Sequence, residues 1–226
     1  MSDVLRICLV GATGLTGTTL IQETVGRPAV RVVGISRREM RVPEGARMEV
    51  LLADPTGWPE AIASSRSQVL VCALGTTWRN SGQNEAAFRA VDHDLVLNCA
   101  MAAKQAGIER MIVVSSVGAD AASRNRYLRV KGEMEQGLAG IGFKRLDILR
   151  PGLIRGGRVE RRWAERLAMV VSPLTDLFLW GDFRKYRSMP VRSLAQAILG
   201  LAREKASGRF VHQHDAILRA PRRTGG

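Results

Sequence analysis

The chain has few cysteines, few aromatic residues and no long apolar run. Cys8, Cys72 and Cys99 each lie inside an apolar segment, are odd in number and lack the C-x-x-C spacing. This pattern argues against a disulfide framework and a zinc site, and is typical of small core residues. No stretch approaches the roughly 20 apolar residues of a membrane span, and the start lacks the pattern of a secretory signal. We therefore expect no membrane span and a cytoplasmic location.

Acidic residues are also scarce, since 34 lysines and arginines stand against 21 aspartates and glutamates. The net charge of +13 and the pI near 11.0 allow a solvated basic surface, an anionic substrate or cofactor, or nucleic acid. The basic residues are spread along the chain without regular aromatic interleaving, which disfavours nucleic acid. Only five of the 34 are lysines, so a lysine at a motif position is less often a coincidence than an arginine would be.

Strands and helices alternate along the sequence. The 226 residues suit one α/β domain, and the alternation predicts a single doubly wound parallel sheet of the Rossmann type. Apolar positions from 85 to 106 recur at spacings of three and four, which predicts one long amphipathic helix ended by Gly107. We expect residues of about 155–190 to form a substrate-pocket insertion or lid, with a membrane-surface helix as the alternative, and residues 219–226 to be a disordered tail.

A glycine-rich turn follows the first apolar run. Gly11, Gly14 and Gly17 stand after the predicted strand Leu5–Val10 and open a predicted helix. The first would allow a tight turn, the second would admit a pyrophosphate, and the third would pack the helix on its strand. The helix N-terminus then points its free N–H groups at the diphosphate, so this stretch predicts a nucleotide site.

Other candidate cofactor residues follow later strands. Arg37 and Arg38, after Ser36, stand where an acidic residue would select NAD, and arginine there accommodates the 2′-phosphate of NADP. An ordinary basic loop is the alternative. Asp54 could contact the adenine or simply form a turn before Pro55. The small residues from Ala73 to Thr77 suit close approach of the nicotinamide half.

Tyr127 and Lys131 carry the chemistry. They are four residues apart on a predicted helix and share a face. A nearby ammonium favours the ionised form of a tyrosine, which can then act as acid and base. Ser116 follows a strand and could hydrogen-bond the same substrate oxygen. The alternative is an exposed helix pair without function. His212 and His214 alternate on a predicted strand, but two ligands without a third make no metal site, and we predict none.

These motifs together resemble the atypical short-chain dehydrogenase/reductases, and among them the Tat-interacting-protein group and its bacterial relatives. The likeness covers about residues 4–212. It implies a Rossmann-like NADP-binding domain with Ser116, Tyr127 and Lys131 in catalytic positions and residues 151–154 beside the nicotinamide. The serine stands closer to the tyrosine than is common in the family, which leaves Ser115 as the alternative. The full set of predicted cofactor residues is Gly11, Thr13, Gly14, Leu15, Thr16, Gly17, Ser36, Arg37, Arg38, Asp54, Ala73, Leu74, Gly75, Thr76, Lys131, Pro151, Gly152, Leu153 and Ile154.

Three functions stay open at this stage. The first is an oxidoreductase that transfers hydride between NADPH and a small carbonyl or alcohol, with NAD(H) less favoured as cofactor. The second is an NADP-binding regulatory protein without turnover, because some relatives act in that way. The third is an enzyme of the sugar-nucleotide epimerase type, whose usual chain is longer. The first function predicts a small-molecule substrate, and the excess of basic residues is compatible with an anionic one. A homo-oligomer is compatible with all three functions.

Overall fold

A computed structural model describes residues 4–156 and 187–220 of the chain. Its centre is a seven-stranded sheet in which every strand runs parallel to its neighbours, in the order β3-β2-β1-β4-β5-β6-β9. A short separate pair, β7 and β8, follows β6 along the chain. The strands are β1 (Leu5–Val10), β2 (Val30–Ser36), β3 (Met48–Leu52), β4 (Val69–Cys72), β5 (Arg110–Val114), β6 (Arg145–Leu149), β7 (Ile154–Arg155), β8 (Met189–Pro190) and β9 (Gly208–His212).

Helices cover both faces of the sheet. One face packs against α1, α6 and α7, and the other against α2, α4 and α5. The described helices are α1 (Leu15–Thr24), α2 (Trp58–Ser64), α3 (Glu85–Arg89), α4 (Leu95–Gln105), α5 (Arg126–Gly140), α6 (Val191–Leu201) and α7 (His214–Arg219). The doubly wound parallel sheet expected from the sequence is thereby confirmed.

The central strands are apolar on both sides because both faces of the sheet are covered. All four residues of β4 are buried, and β1 is buried at every position except Arg6. The strand order reverses between β1 and β4, since β2 and β3 lie on one side of β1 and the later strands on the other. In such sheets the ligand crevice lies at this reversal, outside the carboxyl ends of the strands.

The prediction of one continuous helix from 85 to 106 is wrong. The helix is interrupted by a π-helical turn, Ala90–Asp94, which joins α3 to α4. A π turn inserts one extra residue into the helical repeat and redirects the side chains around it. Gly107 follows the helix at φ +80°, as its predicted role as a helix end requires.

Two smaller expectations also change. His212 lies at the end of β9, but His214 begins α7, so the two histidines do not alternate on one strand. Arg219 and Ala220 belong to or adjoin α7, whereas the rest of the predicted disordered tail lies outside the described residues. Most of the predicted insertion at 155–190 also lies outside them. No helix within 4–156 or 187–220 is long and apolar enough to span a membrane.

Candidate functional site

The three glycines of the N-terminal turn occupy three different environments. Gly11 has φ +87°, and a Cβ there would lie 2.5 Å from the carbonyl oxygen of Ala73 in the turn after β4. At Gly17 a Cβ would lie 2.2 Å from the Gly11 oxygen, whereas at Gly14 it would meet only one atom, at 3.4 Å. Gly11 and Gly17 therefore close the strand–turn–helix unit, and Gly14 leaves room above it.

The N-terminus of α1 is available to an anion. Gly14 is its N-cap residue, no side chain caps the helix, and its first turn contains no acidic residue. The free N–H groups and the positive end of the helix dipole therefore have no carboxylate competing for them in that turn. Thr13 and Leu15 beside the cap are exposed, and Thr16 is buried.

A cavity of about 110 Å³ opens between this turn and the end of β2. Ten residues line it, and five of them are predicted cofactor residues. Four of these five follow or end β1 and β2, and the fifth lies in the turn after β4. The lining consists of Gly11, Thr13, Ser36, Arg37 and Leu74, together with Ile35, Pro55, Trp58, Val91 and Leu95. This cavity therefore combines buried apolar side chains, such as Ile35 and Trp58, with one exposed cationic side chain, Arg37.

The turn after β2 is shaped by Ser36. The buried Ser36 hydroxyl donates a hydrogen bond to the Arg38 carbonyl oxygen at 2.6 Å and accepts one from the Arg38 N–H at 3.3 Å. Both arginine side chains are exposed, so an anion can bind them without a rearrangement of the fold. Arg37 lines the cavity, whereas Arg38 does not.

Asp54 forms a local turn. Its Oδ1 accepts hydrogen bonds from the Thr56 hydroxyl at 2.6 Å and from the backbone N–H groups of Thr56 and Gly57. These bonds, with that from the Thr56 side chain the strongest, hold the pKa of Asp54 below its usual value. The contact between Asp54 and the adenine stays a prediction, whereas its neighbour Pro55 lines the cavity.

Lys131 is held deep beside the turn after β4. Its side chain is 4% exposed, and its ammonium lies 2.7 Å from Oδ1 of Asp92, which is fully buried. The other oxygen of Asp92 accepts a hydrogen bond from the Thr76 N–H at 2.8 Å. Lys131 and Thr76, both predicted cofactor residues, are thus joined through one carboxylate.

Sequence reasoning missed Asp92. The sequence does contain a signal for its burial. Asp92 stands four residues after the buried Phe88 and four before the buried Val96, so it lies on the buried face of the helix.

Tyr127 lies one turn before Lys131 on α5, as predicted. Its ring packs against that of Phe88, with centroids 5.2 Å apart, and Trp78 packs edge-on against Phe88, with centroids 5.7 Å apart. The Tyr127 side chain is partly exposed, and its hydroxyl makes no hydrogen bond to a described residue. The hydroxyl is therefore available to a substrate on this side of the site.

The two serines after β5 differ in their surroundings. Ser115 is buried and donates a hydrogen bond to Glu135, which also pairs with Arg150. Ser116 is partly exposed, and within residues 4–156 and 187–220 its hydroxyl makes one contact, at 3.3 Å, with the carbonyl oxygen of Val117. The Ser115 hydroxyl already serves Glu135, so the geometry favours Ser116 as the hydroxyl that faces a substrate.

The segment after β6 lies beside the β5 turn. The Val117 N–H donates to the carbonyl oxygen of Pro151 at 2.9 Å, which ties residues 151–154 to the serine turn. Pro151 is buried, Gly152 and Ile154 are partly buried, and Leu153 is 65% exposed.

A larger cavity of about 460 Å³ lies elsewhere. It is bounded by α5, the loop at 119–121, β6 and β9, and no predicted site residue lines it. Its charged lining includes Glu135, Arg150 and Arg209. We place the candidate site at the smaller cavity because the ends of β1 and β2 and the turn after β4 line it, beside the uncapped N-terminus of α1. The Lys131–Asp92 pair does not line this cavity and is joined to the turn after β4 through the Thr76 N–H.

A family model described as NAD(P)H-binding matches residues 11–157, which include the glycine turn, the turns after β2 and β4, and the Tyr127–Lys131 pair. The chain belongs to this NAD(P)H-binding family. The resemblance to atypical short-chain dehydrogenase/reductases is thereby confirmed.

Among curated proteins, the chain is 38% identical over 170 residues to "Protein fmp52, mitochondrial" of Emericella nidulans, covering 72% of each chain. It is 36% identical over 157 residues to "Protein FMP52, mitochondrial" of Saccharomyces cerevisiae, covering 68% of each. The cytoplasmic location expected from the sequence is wrong by this comparison, since these relatives are named as mitochondrial. A missing secretory signal bears on secretion and does not separate the cytosol from an organelle, so it could not support a cytoplasmic location.

Solved structures share the fold. A "Putative NAD-dependent epimerase/dehydratase from Bacillus halodurans" superposes with a TM-score of 0.69 at 22% identity, covering 97% of this chain and 99% of that one. "MoeE5 in complex with UDP-glucose and NAD" also gives 0.69, at 17% identity, covering 91% of this chain and 74% of that one. At these identities the likeness supports the fold alone.

Proposed function

We propose that the chain is an NADP-dependent oxidoreductase that transfers hydride between the nicotinamide and a small carbonyl or alcohol. The observation that carries this proposal is the arrangement on α5. The Lys131 ammonium is fixed by a buried ion pair beside the turn after β4, and the available Tyr127 hydroxyl lies one helical turn away. Such a pair suits a tyrosine acid/base with a cationic neighbour.

The residues of the chain fit a dinucleotide. Gly14 leaves open space above the uncapped N-terminus of α1, where a pyrophosphate could approach the backbone. Arg37 at the rim of the cavity would pair with a 2′-phosphate, which supports NADP over NAD. When bound, the nicotinamide supplies or accepts the hydride. The remaining steps are the work of side chains.

In this proposal the three catalytic side chains divide the work. Ser116 donates a hydrogen bond that orients the substrate oxygen and stabilises the charge that develops on it. Tyr127 gives a proton to that oxygen during reduction and takes it back during oxidation. Lys131 supplies a positive charge next to the tyrosine and a donor toward the ribose of the cofactor.

Replacing Tyr127 with Phe tests the proposal. The substitution removes only the hydroxyl and keeps the ring that packs on Phe88, so the fold and the affinity for NADPH should survive. Consumption of NADPH with a panel of small aldehydes and ketones should fall by about 10²-fold or more. Turnover equal to that of the wild type would reject Tyr127 as the acid/base.

A sugar-nucleotide epimerase is the second candidate, because solved neighbours are complexes with UDP-sugars and NAD. An epimerase returns the hydride to its substrate and therefore causes no net change in NADPH absorbance at 340 nm. The measurement is an NMR assay of UDP-sugar conversion, with the absorbance at 340 nm recorded in parallel. Conversion of the sugar without a change in that absorbance would support this candidate over the first. Tight NADPH binding with neither reaction would instead support the regulatory function.

A further inference from the structure

Glu135 is a buried carboxylate on α5, and its side chain is 7% exposed. It receives hydrogen bonds from two other parts of the fold. The Ser115 hydroxyl donates to Oε1, and the Arg150 guanidinium donates to both oxygens, from Nε at 3.0 and 3.1 Å and also from Nη2. A buried carboxylate is tolerated only where a counter-charge and hydrogen bonds replace the water that it has lost, and Glu135 has both.

The two partners of Glu135 lie in the two turns that the proposed function needs. Ser115 directly precedes Ser116 in the turn after β5, and Arg150 directly precedes residues 151–154 in the turn after β6. Each partner is thus the chain neighbour of a predicted site residue. One carboxylate on α5 therefore holds both turns through the residues next to the site.

Backbone hydrogen bonds connect the same two turns to each other. The Ser115 N–H donates to the Leu149 carbonyl oxygen at 2.7 Å, and the Val117 N–H donates to that of Pro151 at 2.9 Å. These bonds fix one turn relative to the other. Glu135 adds the connection from both turns to the helix that carries the proposed acid/base, so the three parts of the site are held in one arrangement.

This connection requires a carboxylate. Two acceptor oxygens match the planar donors of Arg150, and one of them also accepts from Ser115. Glutamine has nearly the same shape and keeps an acceptor for the Ser115 hydroxyl, but its NH₂ group cannot accept from the guanidinium. Glu135→Gln therefore releases the turn after β6 and leaves the volume of the side chain unchanged.

We propose that Glu135 is a positioning residue that sets the turns after β5 and β6 for the nicotinamide half of the cofactor. The proposal rests on the proposed function, in which the nicotinamide lies beside residues 151–154. Turns that are already fixed need not be ordered when the cofactor binds, whereas released turns lose conformational freedom at each binding event. The adenosine half should not depend on Glu135, because this residue does not line the smaller cavity.

The test compares binding of NADPH with binding of 2′-phospho-ADP-ribose, which keeps the adenosine half and the phosphates but lacks the nicotinamide. The ratio of the two affinities isolates the nicotinamide half, and it does not depend on the fraction of protein that is folded. Asp147→Asn is a matched control for Glu135→Gln. Asp147 is 1% exposed and lies in β6, and its partners Arg145 and His212 belong to β6 and β9 rather than to either turn.

Both variants should lower the urea midpoint of unfolding, because each loses a buried ion pair. Only Glu135→Gln should lower the preference for NADPH over the fragment, by at least about tenfold, which corresponds to the loss of one hydrogen bond between charged groups. An undiminished preference in Glu135→Gln would overturn the proposal. An equal loss in Asp147→Asn, or a wild type without any preference for NADPH, would also overturn it.

Ser115→Ala is a second variant that removes a single hydroxyl and leaves the pair of Glu135 with Arg150 intact. It tests the proposal even where Glu135→Gln fails to fold. The preference for NADPH over the fragment should fall by at least about threefold, as for the loss of one hydrogen bond to a charged acceptor. An unchanged preference in Ser115→Ala would contradict the role of the turn after β5.

The binding readout separates this proposal from the proposed function. Wild-type protein that prefers NADPH over the fragment but reduces no carbonyl would reject the oxidoreductase, while a tenfold loss of preference in Glu135→Gln would still support the positioning role. Wild-type carbonyl turnover in Glu135→Gln, together with an undiminished preference, would reject the positioning role and leave the oxidoreductase standing.

Discussion

Gly132 gives a stringent test of how α5 is seated. It follows Lys131 directly, and a Cβ there would lie 2.1 Å from the backbone nitrogen of Ala121 and 2.2 Å from the carbonyl carbon of Asp120. Ordinary contact begins near 3.4 Å, so Gly132→Ala requires the loop or the helix to move by about 1.3 Å. The obstructing atoms belong to the backbone, so a side-chain rotation cannot relieve the clash.

The size of the effect follows from two opposing terms. Overpacking of this kind typically costs about 1–3 kcal/mol. Alanine is favoured over glycine in a helix by up to about 1 kcal/mol, which offsets part of that cost. Gly140→Ala in the same helix isolates the second term, because Gly140 is exposed and a Cβ there meets nothing within 4 Å. The second term is shared by both variants, so we expect them to differ by the overpacking cost, about 1–3 kcal/mol in unfolding free energy.

Urea unfolding followed by circular dichroism at 222 nm measures this difference. Gly140→Ala should be as stable as the wild type or slightly more stable, and Gly132→Ala should be clearly less stable. The displaced helix should also weaken NADPH binding in Gly132→Ala, because Tyr127 and Lys131 move with it. Equal stability of the two variants would refute the seating of α5 against the loop at 119–121.

Three further predictions concern the glycine turn and the buried thiols. Gly17→Ala, whose Cβ would lie 2.2 Å from the Gly11 oxygen, should cost about 1–3 kcal/mol in urea unfolding and weaken NADPH binding; an unchanged urea midpoint would contradict the close packing of α1 on β1. Cys8, Cys72 and Cys99 are all buried, so none should react with a thiol reagent until urea unfolds the chain, and fast reaction of the native protein would contradict their burial. Burial raises the pKa of Cys72 to about 11 and that of Cys8 to about 12, from an ordinary 9.0. Because unfolding then releases protons above about pH 9, the urea midpoint should fall as the pH rises from 9 toward 11, and a midpoint that rises over this range would contradict the burial of the thiols.

Local pattern was enough to predict the frame of the fold. The apolar run before Gly11 and the β-branched run before Ser36 gave two neighbouring strands, because buried parallel strands are apolar on both faces. The glycine turn also predicted that a helix follows β1, and that helix begins at Leu15. These features depend on residues close together in the chain.

Features that depend on distant residues were not predictable in this way. The π turn at 90–94 contains Asp92, which is buried against Lys131, 39 residues later in the chain. Periodicity alone therefore predicted a continuous helix. The choice between Ser115 and Ser116 likewise depends on Glu135, which reaches Ser115 only in the folded chain.

Titration with NADPH and NADH measures directly whether the crevice at the carboxyl ends of β1 and β2 is an NADP site. Trp58 lines the smaller cavity and provides an intrinsic fluorescence signal for binding. The titration compares the wild type with Arg37→Ala/Arg38→Ala, and with Arg66→Ala/Arg203→Ala as a control that removes equal charge from exposed positions elsewhere.

We expect NADPH to bind at least about tenfold more tightly than NADH, because one charge-assisted contact to a phosphate contributes about that much. The Arg37→Ala/Arg38→Ala variant should lose this preference and the control should keep it. Failure of the wild type to bind either nucleotide, or equal affinity for the two, would contradict an NADP site at the carboxyl ends of β1 and β2.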